Sequence, residues 1–359
     1  MFSPVSRLPA GQRIIILVSV VVTGVALSSI VHLPSWNQEL SVLGSPLSLG
    51  LSGRWLLALV LVAAGPGGLR LVDVGDGAAP REVGALEGLG TTHAVAVDGT
   101  LAFVTASNGA THRVYTVDVA DPGAPRVVGT SAVAGEARAL GLGPDALYVG
   151  DDSGAVTIFG RAPSGELTVL GRWTEVLRPR GIVYLGLVIV VADEAGRLVL
   201  VDVNNPARPR TNDVRSTAGR PQGLAVADRH AFVANGAQGM WVSPLTAGGG
   251  TGNDRTWADE QTVLDGMGVA VLGDHVWYGN GGSGLIGVDV SQPAMPRMVR
   301  ILSESGWITA VAAADGFVAM TAQTGGVAAY DSATNPSAPT RIGGVDAPEE
   351  ASGLALAGG

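Results

Sequence analysis

The sequence predicts an all-β protein: a seven-bladed β-propeller whose C-terminal strand closes the first blade, preceded by an N-terminal transmembrane helix. Three observations carry this reading. A strand-rich unit recurs every 42 to 45 residues, the last residues supply a strand that the first unit lacks, and one uncharged apolar stretch near the N-terminus has membrane-spanning length.

The repeat is read from a hydrophobic-Asp-hydrophobic triplet that closes a strand-like segment and leads into a proline-rich corner. Its aspartates are Asp73, Asp118, Asp202, Asp289 and Asp331, and Gly160 and Pro244 hold the same position in two degenerate copies. The seven positions are spaced 45, 42, 42, 42, 45 and 42 residues apart. Within each copy a first strand such as HAVAV (from His93) or QGLAV precedes a tight turn with Asp or Gly. A second strand such as LAFVTA or HVWYGN, a glycine turn, the triplet strand and a short fourth strand follow. Four strands per unit of this length is the pattern of a propeller blade, and the 3.6-residue periodicity of helical repeats is missing.

The chain ends complete one another. Residues 351–359 (ASGLALAGG) match a first strand and its turn, whereas the first copy, beginning near Trp55, starts at its second strand. Pairing the two gives one blade built from both termini and leaves no open sheet edge. The apolar run 55–64 (WLLALVLVAA) is then a strand; the competing reading makes it a second membrane span and puts the propeller on the cytoplasmic side.

These copies resemble the LVIVD-repeat family of bacterial and archaeal β-propellers, through GLRLVDV and RLVLVDV above all. The resemblance covers about residues 55–359, with departures at Gly160 and Pro244. It implies the propeller fold and a surface-associated or exported protein, and it implies no shared catalytic motif.

Residues 14–33 form twenty positions without a formal charge, about 30 Å as a helix and so the thickness of a hydrocarbon core. Arg7 and Arg13 precede them, and Glu39 is the only charge before Arg54, so the positive-inside rule places the propeller outside the cytoplasm. Cleavage near Ala26-Leu27-Ser28 would instead release a secreted protein. Residues 1–33 are thus read as an anchor or signal segment, 34–54 as a linker and 55–359 as the propeller.

Composition narrows the function. The 359 residues include 53 glycines, 20 prolines and no cysteine, so turns are abundant while disulfides and thiolate metal sites are excluded. A net charge of −9 argues against nucleic acid as a partner, because counterion release needs clustered cations. The first 54 residues hold three arginines and one glutamate, which leaves 19 basic and 30 acidic residues on the propeller.

Catalytic signatures are missing: the sequence has no G-x-S-x-G, P-loop or dinucleotide fingerprint, and its five histidines show no metal-ligand spacing. The repeated aspartates are expected to cap their own turns, since an active site is one special place. No cofactor is expected. Calcium is the one candidate, at Asp151-Asp152-Ser153-Gly154 or at Gly252-Asn253-Asp254 with Asp259-Glu260, and neither has the spacing that wraps the ion. One insertion breaks the repeat, at about residues 245–262, and its Asn253, Asp254, Arg255, Trp257, Asp259 and Glu260 form the expected partner-contact loop, with Trp257 as an exposed anchor. Trp241, Trp277 and Trp307 are expected in the core. The first strands, read as innermost, are mostly Ala, Val, Leu and Gly. The expected function is therefore a membrane-anchored or exported scaffold that binds a protein or polymer. The alternative is a lyase or hydrolase at the central channel, which a cluster of carboxylate, His and Arg from several blades would favour.

Overall fold

In the computed structural model the described residues are 59–74, 80–245, 254–258, 264–304, 306–314, 316–322, 326–333, 335–346 and 351–357. They all fall within one unit, Ala58–Gly358. Among them no helix is long and apolar enough to cross a membrane. The expected span, residues 14–33, and the linker, 34–54, lie outside the described residues.

Seven four-stranded antiparallel sheets follow one another as an up-and-down series, each a blade. Blade one takes its inner strand, Gly353–Ala357, from the C-terminus and the other three, Leu59–Ala63, Leu69–Asp73 and Arg81–Leu86, from the start of the propeller. The closing register runs from Leu59↔Ala357 to Ala63↔Gly353. Leu59–Ala63 is thus a fully buried strand with a neighbour on each side, and the second-span reading fails for these residues.

Every blade packs on both faces, so its middle strands are apolar at consecutive positions instead of alternate ones. In Leu59–Ala63, Val60 and Val62 face blade seven (Ala319, Val327, Ala329), while Leu59, Leu61 and Ala63 face blade two (Val95, Ala102, Val104). One hydrophobic cluster fills each of the seven inter-blade interfaces in this manner.

The inner strands (Gly353–Ala357, Thr91–Asp98, Ala137–Leu142, Pro179–Tyr184, Gly223–Ala227, Gly268–Leu272 and Ile308–Ala314) surround the axis. Where they draw together each carries a small residue: Gly353, Ala94, Ala139, Gly181, Gly223, Gly268 and Ala310. A Cβ on Gly353 would meet the Ala94 Cα and the His93 carbonyl oxygen at 3.0 Å, and one on Gly181 would meet Leu224 Cβ at 2.5 Å.

The triplet aspartates cap turns as expected: carboxylates of Asp118, Asp202, Asp289 and Asp331 accept from the backbone N–H two residues on, at 3.0, 2.9, 2.9 and 2.8 Å. The Ala120 N–H and the Arg126 guanidinium hold the Asp118 carboxyl below its ordinary range. The outer strand adds an arginine directly opposite, pairing Asp73 with Arg81, Asp118 with Arg126 and Asp289 with Arg297. Where the aspartate is missing, an arginine reaches the backbone instead. Arg161, beside Gly160, donates to the carbonyls of Gly143 and Pro144 and to Asp98, each at 2.8 Å. Arg215 donates to the Pro244 carbonyl at 2.7 Å.

Replacing Gly353 by valine should force the closing strand away from blade two. We expect a loss of roughly 1–3 kcal/mol, an overpacking cost, seen as a lower thermal midpoint of the full chain.

Candidate functional site

The inner strands begin at one end of the channel, its mouth. Immediately before the small residue of each, the repeat places a side chain at a fixed position: His93, Arg138, Arg180, Gln222, Met267, Thr309 and Ser352 in blades two to seven and one. Two residues earlier stand Thr91, Glu136, Arg178, Arg220, Asp265 and Trp307 in blades two to seven. The residue between is buried in every blade, from Thr92 to Ala351. Frame positions are thus uniform, while mouth positions differ from blade to blade.

A local break in pairing lets these side chains serve the mouth. The register slips between Thr92 and Ala94, Ala137 and Ala139, Pro179 and Gly181, and Ile308 and Ala310, so His93, Arg138, Arg180 and Thr309 are left out of the ladder. Such bulges re-aim a side chain without disturbing the strand beyond. In two blades the hydroxyls serve ring closure: Ser352 Oγ donates to the carbonyls of Thr92 and His93 at 3.1 Å, and Thr309 Oγ1 to Ala351 at 2.6 Å. Blades two to five retain His, Arg, Arg and Gln, which makes the mouth a polar arc.

Two clusters organise that arc. At blades two and three, His93 Nε2 lies 3.0 Å from Ser107 Oγ and 3.8 Å from Glu136, and Ser107 Oγ lies 2.8 Å from His112 Nδ1. Burial pushes the His93 imidazole below its ordinary value; Glu136 opposes this, and Arg138 and His112 add to it. Glu136 pairs with Arg138 at 2.5 Å.

At blades four and five, Glu194 is buried beneath three arginines: Arg180 in contact, Arg178 at 3.4 Å and Arg220 at 3.8 Å. Burial alone would raise the Glu194 carboxyl, but the hydrogen bonds and charge of Arg180, Arg178 and Arg220 outweigh it and hold the group below its ordinary value. Arg178 has φ of 45°, a left-handed conformation rare outside glycine.

The residues singled out from the sequence are placed differently. Asp254 accepts from Ser243 Oγ at 2.7 Å, and Arg255 is exposed on the outer strand Arg255–Trp257 of blade five, three strands from the channel. Trp257 is a correction: only 9% exposed, it packs edge-on against Tyr278 at 6.1 Å within the interface of blades five and six. Asn253, Asp259 and Glu260 lie outside the described residues. Trp307 is a second correction. It is 42% exposed at the mouth, over Gly281, where an added Cβ would meet its ring at 2.9 Å; Trp241 and Trp277 are buried. In the acidic turn read for calcium, Asp151 Oδ1 accepts from Ser153 and Asp152 Oδ1 from the Glu136 N–H at 2.8 Å, while Asp151 Oδ2 is buried without a hydrogen-bond partner among the described residues. Among the described residues no three His, Asp or Glu side chains converge as a metal site.

Sequence reasoning included most of these residues as the opening positions of the first strands, as in HAVAV from His93 and QGLAV from Gln222, but read the strands as mostly Ala, Val, Leu and Gly and did not compare the position before the small residue across blades. Aligning the position before that residue shows the arc: His93, Arg138, Arg180, Gln222, Met267, Thr309 and Ser352 are 45, 42, 42, 45, 42 and 43 residues apart.

Two expectations follow. Because the folded His93 titrates below its ordinary value of 6.5, its contribution is present above that pH and lost as pH falls through it. Denaturant midpoints between about pH 7.5 and 5 should decline less in His93→Gln than in the parent chain. Glu194→Gln leaves Arg180 without its charged hydrogen-bond partner and should cost roughly 1–3 kcal/mol in the same assay.

Comparison with known proteins agrees with this architecture. The LVIVD repeat family model matches residues 186–212 and 265–303, in blades four and six. No curated protein matches. A protein of Lactobacillus plantarum superposes with a TM-score of 0.70 at 12% identity, covering 84% of this chain and 99% of its own. The WD40 repeats of RRP9 give a TM-score of 0.60 at 12% identity, covering 74% and 83%. A functionally unknown protein of Desulfotomaculum acetoxidans gives 0.56 at 14% identity, covering 68% and 81%. At such identities these likenesses show the fold alone. The chain is thus a seven-bladed β-propeller that carries LVIVD repeats in blades four and six, consistent with the LVIVD propeller family.

Proposed function

We propose that the protein is a binding scaffold, not an enzyme, and that it meets a protein or polymer partner through the channel mouth. Residues 14–33 hold it at a membrane with the propeller outside the cytoplasm. One observation carries the reading of the mouth: on a frame repeated seven times, the side chains before the throat vary around the ring and are polar over blades two to five, as His93, Arg138, Arg180 and Gln222. A repeat keeps alike what the fold needs, so side chains at the mouth that differ from blade to blade are free to specify a partner. The exposed Trp307 indole adds an apolar contact at the same end of the channel. The acidic balance of the chain speaks against a nucleic-acid partner.

The second reading, a lyase or hydrolase at the channel, draws on the His93, Ser107, His112 and Glu136 cluster. Ser107 and Glu136 approach the same nitrogen, Nε2 of His93. Such an imidazole cannot relay a proton between hydroxyl and carboxylate through its two nitrogens, as a hydrolytic triad does. The cluster therefore favours the binding reading.

A photo-crosslinking residue placed at position 91, at the mouth, and at position 100, in the turn at the opposite end of the same inner strand, tests the proposal in intact cells. Both side chains are exposed. Discrete partner adducts from position 91 and none from position 100 are expected. Equal labelling, or adducts from position 100 alone, contradicts a mouth-directed scaffold.

A further inference from the structure

We infer that the blade four to blade five arc of the mouth is an oxyanion site, taking the carboxylate or phosphate of a ligand on the guanidinium groups of Arg180, Arg220 and Arg178. The inference rests on the mouth being the contact face and names the chemistry that face selects. Its first basis is a charge imbalance. Neighbouring carboxylates are matched, Glu136 by Arg138 and Asp193 by Arg197, each at 2.5 Å. Glu194 alone stands against three guanidinium groups, so the arc carries an excess of positive charge within a chain whose net charge is −9.

The second basis is unspent donors. An arginine presents five N–H groups in a planar fork. Arg180 donates through Nη2 to Glu194, while its Nε is buried with no hydrogen-bond partner among the described residues. Arg220 stands 3.8 Å from Glu194, beyond hydrogen-bond range, with 72% of its side chain exposed. The exposed fork of Arg220 beside the partly exposed Arg180 guanidinium leaves donors that a two-oxygen anion can take in a bidentate contact.

The third basis is backbone strain in the same place. Arg178 is held at φ 45° directly before the bulge that frees Arg180, and Ala218, two residues before Arg220, has φ 56°. Non-glycine residues in this region are costly and gather where a site has to be shaped. Glu194 serves the arrangement as a template: it gathers guanidinium groups from both blades, so the anion meets them already assembled.

The test is a calorimetric titration of the full chain in detergent with sodium citrate and with sodium phosphate, each against sodium chloride at matched ionic strength. Saturable binding of citrate, phosphate or both, absent with chloride, is expected. Citrate alone would assign a carboxylate ligand and phosphate alone a phosphate ligand. Arg220→Gln, at a largely exposed position, should retain the parent thermal midpoint and weaken binding about tenfold or more, as expected for a lost charged hydrogen bond. Arg297→Gln, on the rim at Asp289, should change nothing. No saturable binding, or binding unaltered in Arg220→Gln, overturns the inference. If position 91 still crosslinks a partner in that case, the scaffold reading survives without it.

Discussion

Each blade has two apolar faces, and this requirement governs the rest of the molecule. A sheet covered on one face only would leave a row of valines and leucines in water. At the junction of blades seven and one, Val60, Val62, Val72 and Val74 are all essentially buried. Burial of each is worth about 1.5–3 kcal/mol, so opening the ring there forfeits on the order of 10 kcal/mol, comparable with the whole stability of a domain. The ring must close. Donating the C-terminal strand to the first blade does so by backbone hydrogen bonds and makes the two termini depend on each other. The same requirement explains a composition that is 47% hydrophobic, because middle strands sandwiched between blades cannot alternate with polar residues.

Closure also sets the throat. Seven inner strands meeting around one axis leave no room for side chains where they converge, hence the ring of Ala and Gly from Gly353 to Ala310. One step earlier, in blades two, three, four and seven, the ladder slips, and there the sequence is free to vary. The scaffold and the site are thus adjacent positions of one repeat, the first fixed by sterics and the second released by a bulge. His93, Arg138 and Arg180 of the polar arc stand on such bulges, and Gln222 of blade five precedes its ladder without one. Over blades seven and one the same position is occupied by Thr309 and Ser352, whose hydroxyls secure the closing strand.

Much of the fold was legible in the sequence because its strongest determinants are local and repeated. The aspartate triplets marked the blades, and their turn-capping role followed from the position before a corner. The terminal segment 351–359 could be matched to blade one because it is a whole first strand. Side-chain environment was less legible. Trp257, in a glycine-rich and acidic stretch, reads as exposed, yet its strand is the outer strand of blade five and its indole fills the seam toward Tyr278. Trp307 stands beside a strand and reads as core, yet it belongs to the mouth. Their partners, Tyr278 and Gly281, lie 21 and 26 residues away in sequence, and periodicity does not report which face of a loop they meet. Arg178, Arg180, Arg220 and Glu194 were invisible for a related reason: the first two meet Glu194 across one hairpin of blade four and Arg220 joins from blade five, a convergence that periodicity does not mark. The aspartate–arginine pairs were present as an Asp-x7-Arg spacing at Asp73, Asp118 and Asp289 and could have been read directly.

Native-state hydrogen exchange of the closing strand tests this dependence most directly. Chain ends ordinarily fray, with opening energies near zero, whereas a strand that seals seven interdependent interfaces opens only when the ring does. The account predicts that the ladder amides of Gly353–Ala357 exchange as slowly as those of Leu59–Ala63, to which they pair, and that both approach the global unfolding rate. Exchange of Gly353–Ala357 in seconds, with Leu59–Ala63 still protected, would mean that the ring stands without its closure and would contradict the account.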